Sequence, residues 1–310
     1  MTVPSTYSFT RYLAAKKGLD DRSLNRAVWE SLSRAVAAYP VKDRLNVLEI
    51  GAGIGTMVER ILDWGLLARA TYVAMDAEQA NISEACSRLP KWASDRGYTV
   101  ENEGCSTLSL RRKDQDVLVK LETVDLFDFL AQESGKSKWD LIIANAFLDL
   151  IDVPATLPDL LSLLKPRGLF YFTITFDGAT IIQPEIDPAF DAQIEALYHE
   201  TMDHRVIGGK PSGDSRTGRH FFQQVRSAGA TMLEAGASDW VVFADQKGYR
   251  DDEEYFLHFI VHTIGSALEG HPALDQERLA RWVRERHTQV EQGRLVYIAH
   301  QMDFFGRGLE

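Results

Sequence analysis

The amino-acid sequence predicts an α/β fold with a doubly wound, mostly parallel sheet. Short apolar runs alternate with amphipathic helical patterns along most of the chain, and the first run leads directly into a glycine-rich turn. Strands and helices that alternate at this spacing form right-handed βαβ units, whose strands lie parallel in one sheet. The composition agrees, because 45% hydrophobic and 25% charged residues in a chain of 310 are typical of a globular protein with a sizeable core.

The N-terminal part of the chain predicts a helical segment ahead of the first strand. Apolar side chains recur at helix-like steps over residues 8–39, and Pro40 ends the pattern. We assign residues 1–40 to a helical N-terminal lid and residues 41–310 to one main domain.

The strands and helices of the main domain alternate regularly at first and less regularly later. Strands are predicted at residues 45–50, 72–75, 139–144, 169–176, 240–243 and 295–300, with short strands of an inserted hairpin within 97–124. Helices are predicted from Met57, and at residues 77–95, 126–132, 156–164, 219–228, 252–268 and 275–291. Prolines and a glycine-rich stretch interrupt the pattern after Gly178, so we expect cap insertions over about 179–220 and 245–292.

The charge balance disfavours two classes of partner. The chain has 45 acidic and 34 basic residues, and its net charge of −11 argues against a non-specific grip on nucleic acid or on an anionic membrane. An anionic small molecule remains compatible as a substrate, because a few local arginines would be enough to bind it.

Cysteine usage and hydropathy indicate the cytoplasm. Cys86 and Cys105 are too few for a disulfide framework and have no metal-like spacing, which suits a reducing compartment. The N-terminus lacks the apolar core of a signal peptide, and no run of about 18 apolar residues could span a membrane. We expect a cytoplasmic protein, and the sequence does not indicate its oligomeric state.

Three alternate glycines follow the first strand and precede a helix. Gly51, Gly53 and Gly55 lie where a ligand would meet exposed backbone N–H groups and the N-terminus of the helix. A dinucleotide fingerprint, G-x-G-x-x-G, would need its third glycine at position 56, where this chain has Thr56. The spacing therefore argues against a dinucleotide.

Asp76 ends the second predicted strand and supports a nucleoside ligand. A carboxylate at this point of a doubly wound fold can accept hydrogen bonds from both ribose hydroxyls. Glu78 is the alternative ribose partner. Several classes of cofactor share this solution, so Asp76 does not distinguish between them.

The stretch VLEIGAGIGTM at residues 47–57 resembles the first motif of class I S-adenosylmethionine-dependent methyltransferases, in their small-molecule branch. The later stretch LLKPRGLFYFTITFDG at residues 163–178 is similar to their late helix, K-P-x-G turn and fifth strand. The likeness covers residues 45–178. It implies a seven-stranded, Rossmann-like methyltransferase fold that ends in an antiparallel strand, with S-adenosylmethionine as cofactor.

The resemblance also implies which residues bind the cofactor. The glycine loop would wrap its amino-acid part, an acidic residue with an apolar neighbour would meet its adenine, and the loop after the fourth motif strand would face its methyl group. The candidates are Glu49, Gly51, Ala52, Gly53, Gly55, Asp76, Ala77, Asp125, Leu126, Asn145, Ala146 and Phe147. For the adenine contact Asp128 is an alternative, and Asp125 can instead be a helix N-cap.

The sequence NAFL at residues 145–148 disfavours some acceptors. DNA and protein amine methyltransferases often carry an Asn/Asp-Pro-Pro-Tyr type motif there, and this chain lacks its prolines and aromatic end. A nucleic-acid base or a glutamine amide is therefore not the expected acceptor. We expect a small molecule that is methylated on oxygen, nitrogen or sulfur.

All eight histidines follow residue 198, in the part of the chain that would build an acceptor pocket. Histidine can move a proton near neutral pH, so the candidates for a general base are His199, His204, His220, His258 and His262. Each of them alone is more commonly a surface or core residue. His258 and His262 share one helical face, but no third ligand is evident and no metal is expected.

Substrate-binding candidates come from the same half of the chain. Arg216 and Arg219, in GDSRTGRH, could clamp a carboxylate, although the loop could equally be a solvated one. Tyr255 and Phe259 would form an aromatic wall around the histidines of their helix.

The expected activity is therefore methyl transfer from S-adenosylmethionine to a small molecule. Two alternatives remain open: an NAD(P)-dependent oxidoreductase of Rossmann type, and a non-catalytic, nucleoside-binding member of the methyltransferase fold. Another use of the same cofactor, such as aminopropyl transfer, is a further alternative.

Overall fold

A ten-stranded sheet runs through the centre of the molecule, with helices on both of its faces. The computed structural model describes residues 3–40, 43–102, 104, 106–207 and 209–309, so Cys105 lies outside the described residues. The strands are β1 Leu45–Ile50, β2 Arg69–Asp76, β3 Thr99–Asn102, β4 Thr107–Arg112, β5 Gln115–Thr123, β6 Trp139–Asn145, β7 Leu164–Gln183, β8 Val206–Ile207, β9 Lys210–Pro211, β10 Thr231–Ala237, β11 Trp240–Val242 and β12 Val296–Arg307. Strands β8 and β9 form a separate small hairpin.

Eleven α-helices lie within the described residues. They are α1 Phe9–Ala15, α2 Lys17–Ser23, α3 Arg26–Ala37, α4 Thr56–Asp63, α5 Gln79–Asp95, α6 Leu126–Glu133, α7 Val153–Ser162, α8 Pro188–Asp203, α9 Thr217–Ser227, α10 Glu253–Ala267 and α11 Gln276–Glu291. A 3₁₀ turn, Leu148–Leu150, follows β6. None of these helices combines the length and apolar character needed to cross a membrane.

The strand order confirms the predicted doubly wound sheet. The order is β10-β12-β7-β6-β1-β2-β5-β4-β3, with β11 beside β12. The central strands β7, β6, β1, β2 and β5 are parallel, and β12 is antiparallel to both β7 and β10. The seven strands from β10 to β5 form the predicted core, while β4, β3 and β11 are additional. Because the chain leaves β1 first towards β2 and later returns to β6, the strand order switches between β1 and β6, where ligands bind in open α/β sheets.

Three apolar clusters hold these layers together. One lies between the sheet and α3, α4 and α5, and a second lies between the other face and α6, α7 and α9. The third joins the N-terminal helices to α8, α10 and α11 and to the extended ends of β7 and β12. The predicted lid and cap therefore share a core, which brings both to one edge of the sheet.

Some elements differ from the sequence-based expectation. The N-terminal helical pattern divides into three helices, because the chain breaks at Lys16 and again at Leu24, and Asn25 then caps α3 through the N–H groups of Ala27 and Val28. Strands β7 and β12 extend well beyond their predicted ends, because they pair with each other as far as Gln183. Strand β10 was not predicted, since its sequence TMLEAGA carries no clear alternation.

Candidate active site

The glycine loop connects β1 to α4 at the switch point of the sheet. Gly51, Gly53 and Gly55 have φ values of 65°, 55° and 81°, which side chains strongly disfavour. A Cβ atom at Gly51 would overlap the ring of Phe147, so this position also lacks room for one. No side chain caps the N-terminus of α4, which leaves its first N–H groups directed at the loop.

Asp76 supports the loop directly from the end of β2. Its Oδ2 accepts a hydrogen bond from the N–H of Gly53 at 2.8 Å, and its Oδ1 accepts from the N–H of Glu78 at 2.9 Å and from Nδ2 of Asn81 at 3.1 Å. A carboxylate has about four lone-pair sites, so these bonds leave room for one further donor. Asp76 therefore holds the loop and can still accept a hydrogen bond from one hydroxyl group of a ligand.

Glu49 lies beneath the loop and is fully buried in β1. Its Oε2 accepts a hydrogen bond from the hydroxyl of Tyr72 at 2.8 Å. Burial raises the pKa of Glu49 to about 8, against the opposing effects of the Tyr72 hydrogen bond and the positive charge of Arg60. The side chain is therefore neutral near pH 7 and contributes a hydrogen-bonded support.

Asp125 is the N-cap of α6. Its Oδ1 accepts hydrogen bonds from the N–H groups of Phe127 at 2.8 Å and of Asp128 at 3.4 Å. Leu126 is buried against the sheet. Asp125 therefore is the helix N-cap that the sequence allowed as an alternative. Capping uses only one of its two carboxylate oxygens.

The backbone is unusual at the end of β6 and at the neighbouring point in the middle of β7. Asn145 and Thr173 are register partners on β6 and β7, and Thr173 Oγ1 donates to Asn145 Oδ1 at 2.8 Å. The residues that follow them, Ala146 and Ile174, have φ values of 52° and 53°, a conformation that costs of the order of 1–3 kcal/mol. Hydrogen bonds hold both, since Ala146 N–H donates to the Thr173 carbonyl at 2.8 Å and Ile174 N–H donates to Asp303 Oδ1 at 2.9 Å. Strained backbone of this kind is concentrated at functional sites. No sequence pattern predicts it at Ala146 or Ile174.

The N-terminal helices lie over the glycine loop. A Cβ atom at Gly53 would be only 3.0 Å from Leu13 Cδ1, so α1 packs directly on the loop. Helix α2 is tied to α4, because Arg60 Nε donates to Asp21 Oδ1 at 2.6 Å. The segment expected to act as a lid therefore covers the candidate cofactor site.

A buried ion pair connects the lid to the sheet. Lys16 Nζ lies 2.7 Å from Asp20 Oδ2, and both side chains are almost completely buried. Trp240 Nε1 donates to Asp20 Oδ1 at 2.9 Å, and Asn145 Nδ2 donates to Asp20 Oδ2 at 3.5 Å. Because the carboxylate is paired and hydrogen-bonded, it fixes α2 against both β11 and the end of β6.

His199 is the candidate histidine that packs against β7. Its Nε2 lies 3.0 Å from Thr180 Oγ1, and its ring centroid is 5.3 Å from that of Phe176. Burial lowers the pKa of His199, so its neutral form is favoured.

Other candidate histidines have different surroundings. His258 Nδ1 lies 2.8 Å from His287 Nδ1 in the buried contact of α10 with α11, and the ring of His262 stacks on Tyr7 at 4.1 Å between centroids. His204 and His220 are exposed. They lie beside carboxylates, His204 at 3.7 Å from Glu200 and His220 at 2.6 Å from Asp214.

The substrate-binding candidates contact strand β7 and the lid. Arg219 donates through Nε to Asp177 Oδ1 at 2.8 Å, and the side chain of Arg216 lies beside Gly178. Tyr255 is hydrogen-bonded to the backbone of Ser8, and Phe259 stacks on Tyr12 with 4.2 Å between ring centroids. The predicted aromatic wall thus packs against the lid.

Four further side chains that no sequence motif indicated are electrostatically linked to one another. They are Tyr12, Asp149, Tyr198 and Tyr297, and they come from α1, the 3₁₀ turn, α8 and β12. No local motif links them, because only the packing of lid and cap brings them together. Among the described residues no cluster of three metal-ligating side chains occurs.

The described residues fit S-adenosylmethionine. The left-handed glycines allow close approach of a ligand, and the uncapped N-terminus of α4 suits its carboxylate. Asp76 retains room for a ribose hydroxyl. The strained loop after β6 and the Leu13 side chain border the same space.

Comparison with known proteins identifies the family. The sequence profile of a family described as a methyltransferase domain matches residues 21–235. No curated protein sequence matches the chain.

Several solved structures are similar to the chain. The YcgJ protein of Bacillus subtilis aligns over 91% of this chain and 99% of its own, with 13% identity and a TM-score of 0.46. A SAM-dependent methyltransferase of Methanosarcina mazei aligns over 88% and 96%, with 10% identity and a TM-score of 0.45. Geranyl diphosphate C-methyltransferase of Streptomyces coelicolor A3(2) aligns over 90% and 77%, with 8% identity and a TM-score of 0.42. Because the family profile covers more than half of the sequence, the chain belongs to the methyltransferase-domain family, as a class I methyltransferase whose cofactor is S-adenosylmethionine.

Proposed function

We propose that the protein methylates an oxygen, nitrogen or sulfur atom of a small molecule held between the N-terminal lid and the cap. One observation carries the proposal: the glycine loop, the strained residues Ala146 after β6 and Ile174 within β7, and lid helix α1 lie close together. In this proposal residues 1–40 are the lid, residues 41–310 are the methyltransferase domain, and the cap comprises about residues 179–220 and 245–292.

Different residues around the loop bind different parts of the cofactor in this proposal. In the proposal Gly51, Ala52 and Gly53 contact its amino-acid part, and Gly55 allows the chain to enter α4. Asp76 and Ala77 meet the ribose, while Asp125 Oδ2 and Leu126 meet the adenine. Glu49 supports the loop from below through its bond to Tyr72.

The chain mainly aligns the acceptor and excludes water. When bound, the cofactor supplies an electrophilic methyl group on a sulfonium. Asn145 is oriented from two sides, by Thr173 and by Asp20, so it and its neighbours Ala146 and Phe147 can hold the acceptor in line with that methyl group. Leu13 and Phe147 cover the loop and limit the access of water.

Candidates for the base and for substrate contacts come from the cap. Among the histidines we favour His199, because it packs on β7 beside Tyr198 and burial keeps it neutral, as a base must be. His204, His220, His258 and His262 remain weaker candidates. Arg216 is the preferred anion contact because Asp177 already holds Arg219, and Tyr255 and Phe259 act by holding the lid.

Calorimetric titration tests this function. We expect S-adenosylhomocysteine to bind the wild type, and Gly51→Ala to weaken that binding by about tenfold or more, since a Cβ atom would overlap Phe147. Gly97→Ala is the matched control, because Gly97 also has a positive φ, of 77°, yet has no atom within 4 Å of the added Cβ.

The same titration tests the alternatives. Tight binding of NADH without binding of S-adenosylhomocysteine would contradict the proposal and favour an oxidoreductase. Binding of S-adenosylhomocysteine together with failure to methylate any acceptor would favour the non-catalytic alternative.

A further inference from the structure

Asp149 is a carboxylate that lies just beyond the strained end of β6. It belongs to the 3₁₀ turn Leu148–Leu150 and is half-buried. Its Oδ1 is shielded from solvent and has no hydrogen-bond partner among the described residues. A shielded carboxylate oxygen without a donor is costly, so the position favours a ligand that brings an N–H or O–H group.

The surroundings of Asp149 favour its protonated form more than those of an ordinary surface aspartate. Burial raises its pKa, while the backbone N–H groups of Asp149 and Phe176 and the positive charges of Arg205 and Lys16 act in the opposite direction. The positive charge of Lys16 is largely offset by its ion pair with Asp20. The pKa of the Asp149 carboxyl is therefore raised in the direction of neutral pH, which favours its action as a general base.

Three tyrosines are electrostatically linked to this carboxylate, either directly or through one another. Tyr12 and Tyr198 interact electrostatically with Asp149, and Tyr297 interacts with both tyrosines. Burial raises the pKa of all three phenols, to about 12 for Tyr198. Within the described part of the chain, none of the three hydroxyls is hydrogen-bonded to another protein atom.

These four side chains form one electrostatically linked cluster. Tyr12, Asp149 and Tyr198 are half-buried and retain some accessible surface. We name Tyr12, Asp149, Tyr198 and Tyr297 the acceptor cluster. It begins three residues after Ala146, beside the loop proposed to face the methyl group.

On the basis of the proposed methyl transfer, we infer that the acceptor atom is a nitrogen or oxygen that carries a proton, and that Asp149 accepts this proton. A carboxylate can only accept hydrogen bonds, whereas each phenol can donate or accept one. The unpartnered Oδ1 of Asp149 therefore suits an amine or hydroxyl group, whose N–H or O–H points at Asp149 while its remaining lone pair is free to react. A thioether has no proton to give and would leave Oδ1 without a partner.

The proton and electron balance of the step is simple. The lone pair of the acceptor atom forms the new bond to the methyl carbon, and the electron pair of the broken carbon–sulfur bond remains on the sulfur as S-adenosylhomocysteine is formed. The proton of the acceptor atom moves to Asp149 Oδ1 and then to solvent. No oxidant, reductant or metal is required.

Binding of three matched probes tests the inference. Benzylamine, benzyl alcohol and benzyl methyl sulfide are titrated separately into the protein saturated with S-adenosylhomocysteine. We expect the amine and the alcohol to bind about tenfold more tightly than the sulfide, and Asp149→Asn to weaken amine binding by about tenfold. In ¹³C-aspartate NMR spectra, benzylamine should lower the pKa of the Asp149 carboxyl by about one unit.

Two further variants separate this role from structural effects. Asp159→Asn removes an exposed carboxylate and is the control that should leave the probe preference unchanged, whereas His199→Gln removes the histidine that is the rival proton acceptor. Equal binding of the sulfide, no binding of either protic probe up to about 20 mM, or loss of preference only in His199→Gln would overturn the inference. If S-adenosylhomocysteine itself does not bind, the proposed function fails; if it binds and the preference is absent, only the assignment of Asp149 fails.

Discussion

At the residue scale, a single buried side chain gives the strand before the glycine loop a pH-dependent stability. The pKa of Glu49 is raised by burial to about 8, so the folded protein holds its proton more tightly than the unfolded chain does. This stabilisation is complete below the unfolded pKa near 4.5 and is lost as the pH rises through about 8.

Replacing Glu49 by glutamine should remove this loss. Glu49→Gln keeps an oxygen that accepts the Tyr72 hydroxyl but cannot ionise, so we expect the variant to gain ~2–4 kcal/mol relative to the wild type between pH 6 and pH 10. Urea unfolding across this range measures the difference. Glu122→Gln, at an exposed position, is the control, and parallel curves for Glu49→Gln and the wild type would contradict the prediction.

Single residues also show which features of the site could be predicted from the sequence and which could not. The positions of Gly51 and Asp76 beside the glycine loop were predictable, because they depend on a strand, a turn and a helix that are adjacent in the chain. Ile174 was not, because its left-handed backbone depends on an irregular register between β7 and β12 and on a hydrogen bond to Asp303. Asp149 was overlooked for a similar reason, since only the three-dimensional packing shields its Oδ1.

At the element scale, a buried histidine pair joins α10 to α11. His258 and His287 share one hydrogen bond between their Nδ1 atoms, so one ring donates, the other accepts, and both rings cannot be charged while the bond is kept. Burial lowers the pKa of both, to about 4 for His287, which is lowered further by His258 and His262 and raised by Glu291. The folded pKa lies below the unfolded value, so this stabilisation is present above about pH 6.5 and is lost as the pH falls through about 4.

Acid should therefore loosen the contact of α10 with α11 before the sheet unfolds. Between pH 6.5 and pH 4 we expect the wild type to lose up to about 1.4 kcal/mol per pH unit from His287, and His287→Gln should abolish this slope at some cost in stability at pH 7. Hydrogen exchange followed by mass spectrometry would report earlier exchange in α10 and α11 than in β1. The exposed His204→Gln is the control, and an unchanged slope in His287→Gln would rule out this pair as the cause.

At the scale of the whole molecule, the lid connects every part of the candidate site. Leu13 packs on Gly53 of the loop, Asp20 contacts Trp240, and the backbone N–H of Asn25 donates to Asp303 Oδ2 at 2.7 Å. The central sheet was predictable from local patterns of hydrophobicity, but the contacts of Asp20 and Asn25 join residues more than two hundred positions apart. A cofactor bound on the loop would consequently be covered by α1, and it could leave only when that helix moved.

Shortening Leu13 should speed the release of the cofactor product. Leu13→Ala removes the side chain that covers Gly53, and since Leu13 is half-buried, we expect S-adenosylhomocysteine to dissociate about fivefold to tenfold faster, equivalent to ~1–1.4 kcal/mol. The melting temperature should change little. Leu233→Ala, at an exposed leucine of β10, is the matched control for stopped-flow measurement of the dissociation rate. An unchanged rate in Leu13→Ala would mean that α1 does not control release, because a helix that covers the ligand must move before the ligand can leave.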